Sequence, residues 1–215
     1  MRKITIGLVA VLCVLWAGAA WAAKALVPET GQVLCYDISG AQIACAGTGQ
    51  DGELTKGVPL PNPRFKDNRN GTITDNLTKL IWLKNANCPN AQRNWQTALN
   101  DVASLNSAGT MNGNDCGDKS GKKGIHRTDW RLPNIRELHS LVDFAFSNPA
   151  ISNAAGTGQA TAGDPFTNLA ASFYWSSTFY AFDPFRAWFV DFFGGGESAG
   201  SKTVIFFVTA VRGGS

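Results

Sequence analysis

The sequence predicts an α+β domain stapled by disulfides: two helices, antiparallel strands and long loops. Three observations carry that prediction. Two stretches show apolar residues at helical spacing behind an asparagine cap. Three aromatic-rich strand patterns close the chain, with glycines between them. Four cysteines lie downstream of an export signal. Two helical stretches beside a run of strands, without strict alternation, read as α+β and not as a parallel α/β fold.

The first residues are read as targeting, not as fold. Arg2 and Lys3 precede an apolar run from Ile4 to Trp16, and Ala20-Trp21-Ala22 is a small-x-small cleavage signal, so residues 1–22 form the expected signal peptide. Leu12 before Cys13 does not suit a lipoprotein signal, and the apolar run is too short for a membrane span. The 215-residue chain has 19 Lys+Arg against 16 Asp+Glu, and two of the basic residues leave with the signal. A near-neutral mature chain gives no reason to expect a nucleic-acid partner. The expected location is extracytoplasmic: periplasm, cell surface or medium.

Residues 23–63 are expected to form an N-terminal hairpin and linker, and residues 64–215 the main domain. Cys35 and Cys45 flank the turn signal Ser39-Gly40, which would place them across a hairpin. Pro59, Pro61 and Pro63 exclude regular structure before Arg64. Four cysteines allow three connectivities; Cys35–Cys45 and Cys88–Cys116 are favoured, the second enclosing the first helix. No C-x-x-C pair supports a zinc site.

Asn70-Gly71 predicts a tight hairpin, with Thr72-Ile73-Thr74 returning and Leu80 to Leu83 as a buried strand. A calcium loop aligned on Gly71 would place Lys66 where a carboxylate is required. Trp95, Ala98, Leu99, Val102 and Leu105 mark the first helix, capped by Asn94. A long loop runs from Asn106 to Asp129. The second helix starts at Asn134, with Glu137 completing a capping box. Leu138, Leu141, Val142 and Ala145 mark its apolar face, and Asn148-Pro149 its end. Three strands follow, over Phe173–Thr178, Ala187–Phe192 and Val204–Arg212, in a meander that turns at Gly194-Gly195-Gly196.

Several ordered motifs resemble those of a known family. They are Phe65-x-Asp-Asn-x-Asn-Gly-Thr-x-Thr-Asp-Asn, Leu80-Ile-Trp, Trp130-Arg-Leu-Pro-x-x-x-Glu-Leu, Tyr174-Trp-Ser-Ser-Thr, Ala187-Trp-Phe-Val-x-Phe and Val211-Arg-Gly-Gly. Together they look like the Lcl C-terminal domain family, named for the C-terminal domain of the Legionella collagen-like adhesin. The resemblance implies an exported bacterial protein with a C-type-lectin-like fold, distantly like the formylglycine-generating, sulfatase-modifying enzymes. The founding adhesin is trimeric and binds sulfated glycosaminoglycans, so the resemblance also points towards adhesion, carbohydrate binding and oligomerisation. This chain has no collagen-like Gly-x-y repeat.

No enzyme constellation stands out. His126 and His139 lack metal-ligand spacing, Ser176 and Ser177 lack a nucleophile elbow, and no cysteine follows Cys116 to supply a formylglycine-generating pair. No catalytic residue, metal ligand or cofactor is therefore expected, and Asp115 and Asp118 read as solvated loop charges. No Glu-Pro-Asn triplet supports a calcium-dependent sugar site. Binding candidates are Lys119, Lys122, Lys123 and Arg127 in the densest basic run, with Arg131 nearby as an anion contact. Tyr180 and Phe182, between two strands, offer flat faces for sugar rings. Trp175 and Trp188 read as core, and the Trp130-Arg131-Leu132-Pro133 junction as scaffold, with Arg131 paired to Asp143 or Glu137. The expected partner is an acidic or sulfated glycan, or an envelope protein; a purely structural role in an envelope or extracellular assembly is the alternative, and an enzyme of unrecognised chemistry ranks behind both.

The disulfide assignment has a direct check. Alkylation of the exported chain without reduction is expected to label none of the four mature cysteines, and alkylation after reduction all four. Four labelled thiols in the unreduced sample would overturn it.

Overall fold

The computed structural model describes residues 27–213. The segment read as a signal peptide, residues 1–22, lies outside the described residues. The fold is α+β, with a four-stranded and a three-stranded antiparallel sheet, two small hairpins and three α-helices. Both expected disulfides, Cys35–Cys45 and Cys88–Cys116, are present.

In chain order, β1 (Cys35–Tyr36) and β2 (Gln42–Ile43) form the N-terminal hairpin, followed by the single turn of α1 (Asp51–Leu54). β3 (Phe65–Asp67), β4 (Thr72–Asp75) and β5 (Ile81–Leu83) build most of the first sheet. α2 (Trp95–Ala108), the hairpin of β6 (Thr110–Met111) and β7 (Asn114–Asp115), and α3 (Ile135–His139) come next. β8 (Phe173–Phe179), β9 (Arg186–Asp191) and β10 (Glu197–Ser201) form the second sheet, and β11 (Val211–Arg212) returns to the first. The two sheets run in the order β11-β5-β4-β3 and β10-β9-β8.

α2 follows its sequence signals closely. Asn94 caps it by accepting the Thr97 N–H at 2.9 Å, and Gly109 ends it in the left-handed region that favours glycine. Its face of Ala98, Val102 and Leu105 packs with Met111, Trp130, Leu132, Trp175 and Val208. A second cluster surrounds Trp82, which is fully buried at the centre of the first sheet with Ile73, Leu138, Tyr174, Val190 and Phe192. Trp130 and Leu132 thus face the core, while the Arg131 backbone pairs with Val211 through reciprocal 2.9 Å hydrogen bonds.

Three expectations change. The second helix ends at His139 instead of running to Asn148. The Ser140 carbonyl, which would accept the Phe144 N–H in a continuing helix, accepts Arg64 Nη2 at 2.7 Å; the Phe144 N–H goes to Thr30 O. Leu141 and Val142 are still buried, but Ala145 is exposed, so the apolar spacing was satisfied by tertiary packing without helix. The third strand of the meander is the polar Glu197–Ser201, not Val204–Arg212. The apolar run instead joins the two sheets. Phe206 bridges to Arg93, Phe207 to Tyr174, Ala210 accepts from Leu83, and only Val211–Arg212 form a strand. From Val208 to Val211 the segment is buried on both sides, so it carries no polar alternation, whereas Val204 and Ile205 are exposed. Finally, the β3–β4 turn is wider than an Asn-Gly two-residue loop, with positive φ at Arg69 and Gly71. Gly71 is needed there for space: an added Cβ would lie 1.9 Å from Gly117 O.

A buried ion pair anchors the first sheet. Arg64 and Asp75 are both fully buried, with Nε 3.0 Å from Oδ1. Asp75 also accepts from Leu77 N and Thr78 Oγ1. Removing one partner of such a pair leaves an uncompensated buried charge. Asp75→Ala is therefore expected to lower unfolding free energy by about 3–5 kcal/mol, read by denaturant titration.

Candidate functional site

Two surfaces carry the residues singled out as binding candidates. The first is the loop after Cys116. Its backbone is held by one carboxylate. Asp118, nearly fully buried, accepts the Ser120 N–H at 2.9 Å, Ser120 Oγ at 2.5 Å, the Arg127 N–H at 2.8 Å and the Trp130 indole N–H at 2.7 Å. It was read from sequence as a solvated loop charge; its burial and four donors make it the organiser of the loop instead. Asp115, by contrast, is exposed and accepts only the Gly117 N–H. Burial pushes the Asp118 carboxyl up, but the donors from Ser120, Arg127 and Trp130 outweigh it, so it lies below the ordinary aspartate value.

The rest of the loop is tied at its ends. The Lys119 N–H donates to Asn70 O of the β3–β4 turn, Gly121 N to Ile125 O, and Arg127 Nε to Ser120 O at 3.2 Å. His126 sits on the C-terminal end of α2, with Nε2 3.3 Å from Asn106 O. What this frame presents outward is cationic. Lys119, Lys122, Lys123 and Arg127 are exposed, and none makes an ion pair among the described residues. Arg131 does not join them. Both its terminal nitrogens bind Glu137, at 2.5 and 2.6 Å, and Nη2 also donates to Gly213 O. The Glu137 carboxylate also completes the capping box with Asn134, so this pair is architecture.

The second surface is the tip of the β8–β9 hairpin. Within β8, Tyr174 and Trp175 are fully buried and Trp175 Nε1 donates to Arg93 O at 2.8 Å. Burial pushes the Tyr174 phenol above its ordinary value. Ser176 is buried and donates to Trp188 O, a structural role. Trp188 is half-buried, with Tyr180 packed edge-on at 5.3 Å. Phe182 and Phe185 project furthest, at 88% and 82% exposure. Asp183 and Arg186 hold the loop with a 3.3 Å ion pair. Phe185 is thus as prominent as Phe182, and Tyr180 less so; alternation in a loop cannot rank them. Among the described residues, no hydrogen bond, ion pair or cation–π contact joins the basic loop to this tip.

The two histidines are placed structurally. His139 Nε2 is 3.1 Å from Gly195 O, and its ring meets Phe144 edge-on. No group of three metal-ligating side chains converges among the described residues. No helix among them is long and apolar enough to cross a membrane.

These features define a disulfide-stabilised α+β domain that displays one cationic loop and one aromatic hairpin tip. The model of the Lcl C-terminal domain matches residues 71–212, and the chain belongs to that family. The match begins inside the β3–β4 turn and ends at β11, so it covers the three-stranded sheet, α2, α3 and every strand of the first sheet except β3. No curated protein matches the chain.

Asp118 gives a prediction with a defined sign. Its carboxyl is lowered by folding, so its stabilisation is fully present above the unfolded value near 3.8 and is lost as pH falls through the folded value. Asp118→Ala is expected to lose about 1–3 kcal/mol at neutral pH, by leaving the Trp130 N–H and two backbone N–H groups unsatisfied. Amide exchange across residues 119–127 is expected to speed up. The variant's deficit is expected to shrink below pH 3.8.

Proposed function

We propose that the chain is an extracytoplasmic, non-enzymatic binding domain that takes an acidic or sulfated glycan at its basic loop. The observation that carries this reading is the set of four exposed, unpaired cations on a backbone organised by Asp118. Flexible lysines on a fixed loop suit a ligand with many anionic groups and no single required geometry. The two disulfides support a location outside the cytosol. Family membership is in keeping with binding in place of catalysis.

A second reading is a protein partner within an envelope or extracellular assembly. Phe182 and Phe185 favour it, since exposed aromatic anchors on a braced hairpin are what protein interfaces use. Homo-oligomerisation through this tip belongs to the same reading.

Heparin fragments and their desulfated forms, titrated against the full exported chain, separate the two. Lys122→Ala/Lys123→Ala is expected to weaken binding of the sulfated form about tenfold, from two lost surface charge contacts of roughly 0.5–1 kcal/mol each. That binding is also expected to fall with added salt. Equal affinity for both forms, or none, would remove the glycan reading. Phe182→Ala is expected to spare short fragments. If it also abolishes recovery of an envelope protein, the second reading gains.

A further inference from the structure

Away from both surfaces, the N-terminal segment roofs a cavity of about 550 Å³. Gly31 to Leu34 and Tyr36 form one wall, and Asp143 to Phe146 form another. The roof is hydrogen-bonded in place: the Phe144 N–H donates to Thr30 O, and Gln32 Nε2 donates to Phe144 O at 3.4 Å. A second cavity, of about 430 Å³ near Phe166, is lined by no titratable side chain and lacks such chemistry.

Asp143 sets the first cavity apart. Its residue is only 2% exposed, yet no cation among the described residues lies within ion-pair distance. Oδ1 accepts the Ala145 N–H at 3.0 Å. Oδ2 has no donor among the described residues and is not among the fully enclosed polar atoms. Arg64 is the cation whose charge reaches it, and Arg64 is already paired with Asp75 at 3.0 Å. Burial therefore pushes the Asp143 carboxyl up, with the Ala145 N–H and Arg64 opposing without cancelling. The roof is shaped around this group: a Cβ on Gly31 would fall 2.1 Å from Oδ1.

The geometry points to a binding site for a primary ammonium group on an aliphatic chain, with Asp143 Oδ2 as its counter-charge. The single free oxygen matches a compact ammonium better than a guanidinium fork, which needs both oxygens. The rings of Tyr36, Phe144 and Phe146 line the same cavity and favour a cation with apolar methylenes. A divalent metal would need about six or more oxygen ligands, and no cluster of acids converges here. The cavity size falls within the range of small-molecule sites. The site is separate from the basic loop and does not depend on the glycan reading.

The test titrates the full exported chain, disulfides formed, with cadaverine and with Nα-acetyl-lysine methylamide, by calorimetry at neutral pH. Cadaverine stands for a free amine and the lysine derivative for a lysine of a peptide; the tighter binder identifies the source. Saturable binding is expected for at least one, and none for 1,5-pentanediol. Asp143→Asn keeps the shape and removes the charge, so affinity is expected to drop about tenfold or more. Its thermal midpoint is expected to hold or rise, because an uncompensated buried charge is gone. Tyr36→Ala, on the exposed hairpin, is expected to weaken binding severalfold with the fold intact. Acidification is expected to weaken binding as Asp143 takes up a proton. Failure of both amines to bind, affinity unchanged in Asp143→Asn, or equal binding of the diol would overturn the assignment.

Discussion

The structure depends on where the Arg64 guanidinium goes. Its Nε and Nη2 face Asp75 at the end of β4, and Nη2 also takes the Ser140 carbonyl. One side chain therefore ties the first sheet to the end of α3. A fully buried arginine is tolerable only with a carboxylate and further acceptors around it. The i→i−4 ladder ends at the same place: the Leu141 N–H goes to Leu138 O and the Val142 N–H to His139 O, while Ser140 Oγ donates to Glu137 O at 2.7 Å. The chain then turns, Phe144 reaches back to Thr30, and the N-terminal segment is drawn onto the domain. With Arg64 engaged by Asp75, Asp143 is left buried without a counter-ion. The end of α3, the docked N-terminal segment and the buried Asp143 thus meet around one ion pair.

The elements legible in the sequence are those whose causes are local. Asn94 and Gly109 bound α2 through caps, Asn134 and Glu137 start α3 by a capping box, and Cys35–Cys45 closes over the Ser39-Gly40 turn signal. The misread elements have distant causes. Leu138, Leu141 and Val142 keep helical spacing, but Arg64, which donates to the Ser140 carbonyl, lies 76 residues upstream of it. Phe206 and Phe207 look like part of one strand, but their backbones bridge to two separate partners, Arg93 and Tyr174 of β8, which only the fold brings near. Periodicity reports burial, and here burial came without regular structure.

The same division runs through the candidate sites. The four cations of residues 119–127 are visible as a run, and their exposure follows from a loop too polar to bury. Asp118 was not visible as the organiser, since its value comes from Trp130 and Arg127, brought near only when the loop closes. Asp143, Tyr36 and Phe146 lie over a hundred residues apart at the extremes and share no motif; only the docking of the N-terminal segment makes them neighbours.

Arginine and lysine divide the work of this domain. Five arginines but a single lysine sit in ion pairs among the described residues, and the pairs include the buried Arg64–Asp75 and the forked Arg131–Glu137. That follows from their chemistry: a planar, weakly hydrated fork holds two elements in register, whereas a strongly hydrated ammonium on a flexible stem does not. The cations of the basic loop are therefore mostly of the kind that the fold does not use. Recognition through them, under the proposed reading, responds to charge density along a polymer and discriminates poorly among individual sugars. Any finer selectivity has to come from groups with fixed geometry, which exposed ammonium groups on flexible stems do not supply.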